Sequence, residues 1–291
     1  MQNYETTAAA DFPQPTDNQV LTTVPQQPAP DNPPWNWAMG LLVWFASIVF
    51  IVIIPSAAII FYVVSKGYNL TDTKQLAEAI QNDPTAILVN ILAVIPAHLL
   101  TIAAAWAVVT NLNKFSFTKM LGWRWGGFKL WHLIVILVGF FGLAYLLTLV
   151  FGDQDNELLR ILRSSRAVVY AVAFMATFTA PLVEEVIYRG VLYSSFQKRF
   201  GVSKAVFLAT ALFALVHVPQ YYPNAATIIS ICVLSLVLTL IRAKTKNLLP
   251  CIVLHTVFNG IQSIGLILEP YLREQVQKTP DSAALILHLL K

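Results

Sequence analysis

Long apolar stretches separated by short polar ones dominate the chain from residue 38 onward. They lie at about 38–64, 85–110, 130–151, 167–188, 203–218, 225–242 and 248–268. Most are near the roughly 20 residues that a helix needs to cross about 30 Å of hydrocarbon. None alternates with the period of a strand, and backbone groups in lipid must be paired within the segment, so the pattern predicts helices rather than a barrel. The expected fold is all-α, a polytopic membrane bundle of about seven transmembrane helices, six to eight by this pattern. Pro55 and Pro96 are expected to kink the first two spans.

The polar stretches predict less structure. Residues 1–35 hold Pro, Gln, Asp and Thr with no apolar stripe and no Lys or Arg, the composition of a disordered cytoplasmic tail. The first residues lack both a basic and an apolar region of a secretory signal, so insertion is expected to begin with a later helix. Between the first two spans, Leu76, Ala79 and Ile80 share one helical face, which suits a short interfacial helix or a capped surface loop. Trp35, Trp37, Trp123, Trp125 and Trp131 fall near span ends, where indole rings favour the headgroup level. The expected divisions are a tail at 1–35, N-terminal membrane helices at 36–160, a catalytic membrane domain at 161–268 and a C-terminal tail at 269–291.

Composition sharpens the class. Of 291 residues, 57% are hydrophobic and 12% charged, and the mean hydropathy is +0.64, too apolar for a solvated exterior. The formal net charge of +4 resides in short Lys and Arg runs between spans, which report membrane orientation and not nucleic-acid binding. A small Lys and Arg excess on the side of the N-terminal tail makes that side cytoplasmic. The compact chain suits a bacterial cytoplasmic membrane. Cys232 and Cys251 sit in or beside apolar segments as small buried hydrophobes.

Against this background, the ionisable residues inside apolar helices stand out. Glu184 and Glu185 are adjacent, and each ionised carboxylate in hydrocarbon costs roughly 2.5–3.5 kcal/mol on insertion scales. Glu185 and Arg189 are spaced i, i+4 and can pair on one helix face, leaving Glu184 rotated about 100° toward another neighbour. His217 ends a separate apolar helix, one turn after Phe213, a packing residue. His255 and Asn259, also i, i+4, share a face of the last span. A buried Glu can deprotonate water, imidazole can orient water or bind metal, and Asn can donate to a developing oxyanion. These are the parts for hydrolysis of an amide. A zinc or other divalent metal on Glu184, His217 and His255 is chemically available, but no His-Glu-x-x-His occurs, which leaves the metal question open.

Other polar residues carry blander expectations. His98 and His132 suit helix–helix hydrogen bonds or interfacial positions. Asp153, Asp155 and Glu157 suit a solvated loop, and His288 lies outside the constellation.

The segments LVEEVIYRG, FALVH and LHTVFN, in order on separate apolar helices, resemble the three motifs of the CAAX prenyl protease and bacteriocin-processing family of intramembrane proteases, which includes type II CAAX prenyl endopeptidases. The resemblance covers roughly residues 165–265. It implies that Glu184 and His217 activate water while His255 and Asn259 complete the site, with Glu185 and Arg189 filling the rest of the first motif. Tyr188 stands where many relatives have Phe. The implied substrate is a membrane-anchored peptide or protein met within the lipid bilayer, such as a prenylated C-terminal tripeptide; relatives linked to bacteriocin immunity leave a non-catalytic scaffold as the alternative. An ion-coupled transporter is a third reading of the same ionisable residues. One geometric condition follows. The glutamate helix should break near Pro181 and continue past the membrane toward Lys198, because otherwise Glu184 and His217 would sit at different depths.

Overall fold

The computed structural model describes residues 27–152 and 154–278. Among them are seven helices long and apolar enough to cross a membrane: Trp37–Ser65, Pro84–Val109, Leu130–Phe151, Arg166–Phe200, Val202–Tyr221, Ala225–Thr245 and Leu249–Glu269. The protein is therefore an all-α, multi-pass membrane bundle. Large apolar side chains on the outside of these helices, such as Phe61 at 77% exposure and Val150 at 75%, face the space that lipid fills.

Local chemistry sets the helix boundaries. The first helix, α1 (Trp37–Ser65), starts where the Asn36 side chain accepts from the Met39 N–H. The polar linker forms α2 (Thr73–Asn82), and Leu76 and Ile80 turn toward Ile59, Val63 and Ala86 of the neighbouring spans. Next, Asp83 caps α3 (Pro84–Leu92), with Pro84 in its first turn, where a missing N–H costs nothing. The second span then divides at Ala93 before α4 (Val94–Val109). Pro96 accounts for the division, since its ring meets the carbonyl four residues earlier, that of Leu92. Pro55, by contrast, lies inside an uninterrupted α1.

Short α5 (Phe117–Leu121) ends on Gly122 in the left-handed region, φ 72°. After α6 (Leu130–Phe151), Asn156 caps α7 (Glu157–Leu162) and Ser165 caps α8 (Arg166–Phe174). The helical path then runs on without a break to Phe200. A π-helical turn at Met175–Thr179 leads to α9 (Ala180–Glu185), and a second at Val186–Leu192 leads to α10 (Tyr193–Phe200). The last three helices are α11 (Val202–Tyr221), α12 (Ala225–Thr245) and α13 (Leu249–Lys278).

The glutamate helix is the axis of the bundle. On one side α1 and α4 pack against its second π turn; on the other, α13 packs against the first. The main core gathers Val43, Ala105, Leu121, Ile187, Leu192, Phe213 and Leu248 around it. Small residues permit the close approach. A Cβ on Gly190 would lie 2.9 Å from Leu121 Cδ2, and one on Gly40 would lie 2.7 Å from Ser195 Oγ. In lipid, where apolar surface gains little from association, such close packing holds helices together. A second core joins α6, α12 and α13 through Phe140, Leu238, Leu254 and Phe258.

Several expectations are corrected. The glutamate helix does continue as far as Phe200, but no break occurs at Pro181; π turns on either side of α9 take its place. Residues 27–35, expected to be disordered with the rest of the tail, are instead seated on the bundle. Their Trp35 is 1% exposed and donates from Nε1 to the Val191 carbonyl at 3.0 Å. Trp37, Trp125 and Trp131 are exposed. The last helix extends into the expected C-terminal tail as far as Lys278. Residues 1–26, Asp153, and residues 279–291 with His288 lie outside the described residues.

Candidate active site

Three helices bring the polar side chains together. Glu184 and Glu185 close α9, His217 lies in the last turns of α11, and His255 and Asn259 lie in the first half of α13. Glu184 Oε1 is 3.9 Å from His217 Nε2, and its Oε2 is 3.8 Å from His255 Nε2. Both gaps exceed a hydrogen bond of about 3 Å and are within reach of one shared water.

The histidine tautomers follow from their partners. His217 Nδ1 lies 2.7 Å from the Phe213 carbonyl, which can only accept, so Nδ1 carries a proton and Nε2 faces the Glu184 side. His255 Nδ1 lies 2.9 Å from Glu185 Oε1, which assigns its proton in the same way. Both imidazoles thus present Nε2 toward the same carboxylate.

Glu185 has a different task. Fully buried, it accepts from Arg189 Nη1 at 2.9 Å on the same oxygen that meets His255. Arg189, also fully buried, donates further to the Ser235 carbonyl at 3.0 Å, Ser235 Oγ at 2.8 Å and Thr239 Oγ1 at 3.3 Å. Its guanidinium lies 4.5 Å from the centre of the Phe213 ring. Phe213 also stacks on His217, with centroids 4.5 Å apart. Phe213 is packed, as expected, but it also links the arginine to the histidine. Ser235 and Thr239 escaped the sequence reading. Their signal was an i, i+4 pair of hydroxyls in a span long and apolar enough to cross a membrane.

The π turns explain how the site is built. Hydrogen bonds in a π turn reach five residues back instead of four, so carbonyls there become available to side chains. Asn259 Nδ2 donates to the Ala176 carbonyl at 2.8 Å, which fixes the amide beside the first turn. Thr177 is joined to Ser263 of α13 at 2.9 Å. His98, 7% exposed, meets Thr179 at 3.1 Å, the helix–helix hydrogen bond expected of it. His132 accepts the Lys129 N–H at 2.8 Å at the start of α6 and stays apart from the site.

Glu184 stands at a boundary of burial. Every residue from Glu185 to Phe196 is buried, whereas the Glu184 side chain is 24% exposed and several residues before it are open.

Residues 166–261 match the family model for type II CAAX prenyl endopeptidases, Rce1-like. This third of the chain starts with α8 and ends just beyond Asn259, so it contains Glu184, Glu185, Arg189, His217, His255 and Asn259. It supports a protease-like fold for the segment. No curated protein and no solved structure matches the chain.

The donor types suit zinc, which takes two His and one Glu in hydrolytic sites. Among the described residues, however, no group of three or more His, Cys, Asp or Glu side chains is arranged to hold a metal ion. The spacing around Glu184 does not by itself define a metal centre, and no step proposed below passes through one. Cys232 and Cys251 are free thiols, half-buried and buried.

Proposed function

We propose that the protein is an intramembrane endopeptidase that hydrolyses a peptide bond of a membrane-anchored protein or prenylated peptide, with Glu184 as the general base. The observation that carries this reading is the convergence of His217 Nε2 and His255 Nε2 on the two oxygens of one partly exposed carboxylate. A water between these groups gives a proton to Glu184 as its oxygen attacks the scissile carbonyl carbon. The Nε2 lone pair of one imidazole accepts its remaining hydrogen, and the two rings together hold its orientation. The carbonyl oxygen becomes an oxyanion, which takes a hydrogen bond from the Asn259 N–H not engaged by Ala176. Glu184 then returns the proton to the leaving amine, and the C–N bond breaks. Glu185, neutralised by Arg189, fixes the tautomer and orientation of His255 throughout.

The same convergence disfavours the transporter reading, because a proton relay needs ionisable groups spread across the bilayer and not gathered at one depth. A scaffold would have no use for two imidazoles aimed at one carboxylate.

The test is cleavage of a membrane-anchored peptide library, prenylated and unprenylated, by purified protein in liposomes, with and without a chelator. New C-termini within the anchored peptides are the expected result, and chelator sensitivity decides the metal. Intact peptides under every condition would overturn the protease reading.

A further inference from the structure

Arg242 is 1% exposed, and among the described residues its hydrogen-bond acceptors are two carbonyls and a hydroxyl. Burying a guanidinium costs several kcal/mol unless its donors are met. Here they are met by oxygens from two other segments. Nε donates to the Arg189 carbonyl at 3.2 Å, and Nη2 donates to Ser194 Oγ and to the Pro30 carbonyl, each at 2.9 Å. The first acceptor is the backbone of the residue whose side chain holds Glu185.

The Pro30 carbonyl belongs to a strap ahead of α1. Its turn is closed by paired backbone bonds between Ala29 and Asn32, at 3.1 and 3.0 Å. Asp31 pairs with Lys246 at 2.7 Å, and Lys198 donates to the Pro33 carbonyl at 2.7 Å. Trp35 completes the attachment by donating to the Val191 carbonyl. Two carbonyls of the second π turn, Arg189 and Val191, therefore accept from side chains outside the glutamate helix.

We infer that Arg242 is a positioning residue of the site, held in place by the strap at residues 29–35, and that together they set the second π turn so that Arg189 meets Glu185. The path to the chemistry runs from the strap to Arg242, to the backbone of Arg189, and through its guanidinium to Glu185 and His255. Neither Arg242 nor the strap touches substrate. The strap lies outside the segment that matches the endopeptidase family, residues 166–261, and Arg242 lies within it. The catalytic part of the inference rests on the proposed function; the part concerning the turn does not.

The test compares full-length wild type with Arg242→Lys, which keeps the charge but not the three-point geometry, and Trp35→Phe, which keeps the ring but removes the donor. Amide hydrogen exchange in nanodiscs is read together with kcat and KM for the peptide cleaved by wild type. Expected are faster exchange confined to the turn at 186–192, and a fall in kcat of about tenfold for Arg242→Lys with KM within about twofold. Trp35→Phe should show the same pattern with a smaller fall. Exchange that is unchanged in the turn, or that rises throughout the bundle, would overturn the inference, as would altered exchange in the turn with unchanged kcat. Should wild type cleave nothing, the protease reading fails, and the exchange pattern alone decides the claim about the turn: confined to 186–192 it stands, otherwise it falls.

Discussion

His255 donates from Nδ1 to Glu185 Oε1 across 2.9 Å, on the oxygen that also accepts from Arg189. The adjacent glutamates thereby differ in setting. Glu185 is held in a fully buried ion pair, and Glu184, one residue earlier, is 24% exposed and outside that pair. A helix supplies this difference through its 100° step between neighbours.

Breaking the buried pair should be severe. Arg189→Met leaves Glu185 with an uncompensated charge, and the expected loss is about 3–5 kcal/mol. The double variant Glu185→Gln with Arg189→Met should recover part of that stability without recovering cleavage, because His255 loses its orienting acceptor. Unfolding in detergent and peptide cleavage, measured on the same preparations, check both halves.

Asn259 joins two roles on one amide. Asn259→Ala should lower cleavage by about 10²–10³, the effect of losing one oxyanion donor. It should also speed amide exchange around Ala176, whose carbonyl loses its side-chain donor. A variant with loosened exchange but wild-type kcat would separate the amide from the chemistry.

His98 is expected to behave as a helix–helix bond and nothing more. His98→Leu should cost about 0.6 kcal/mol, the average for such bonds in membrane bundles, and leave kcat within about threefold. A loss as large as that of His217→Ala would place His98 in the reaction.

The strap should respond to acid in a defined direction. The hydrogen bond from Lys246 holds the Asp31 carboxyl below its ordinary value of 3.8. A depressed carboxyl contributes its attachment above the unfolded value and loses it as pH falls through the folded one. The strap should therefore stay fixed from pH 8 to 5 and loosen only below about pH 4, with a small amplitude because the pair is partly exposed. A nitroxide on Asn32→Cys, in a Cys232→Ser background, reports its mobility. Loosening between pH 8 and 5 would exclude the Asp31 pair as its cause.

Much of this arrangement is legible in the sequence because a membrane simplifies the code. Spans announce themselves by length and hydropathy, and an ionisable residue within one, such as Glu184 or His217, is costly enough to be noticed. The caps at Asn36, Asp83 and Ser165 are equally local. What escapes is whatever depends on departures from a regular helix. The continuation of the glutamate helix toward Lys198 is legible from the depth that His217 requires, but the π turns on either side of α9, in place of a break at Pro181, are not. The π turns leave no pattern in the composition, so Trp35 reads as an interfacial ring and Arg242 as one more charge at a span end. Each is in fact a donor to a carbonyl that the wide turn releases. Residues 27–35 read as disordered for the same reason: their order comes from acceptors and donors contributed far along the chain.

The most direct test of the central claim is the rate at which Glu184→Gln cleaves a membrane-anchored peptide that the wild-type protein cleaves, in the same liposomes. Gln keeps the size of the side chain and removes its basicity. Cleavage should fall by at least about 10³, as expected for loss of the base that activates water, while thermal unfolding and amide exchange of α9 remain those of wild type. Cleavage by the folded Glu184→Gln variant at the wild-type rate would contradict the account.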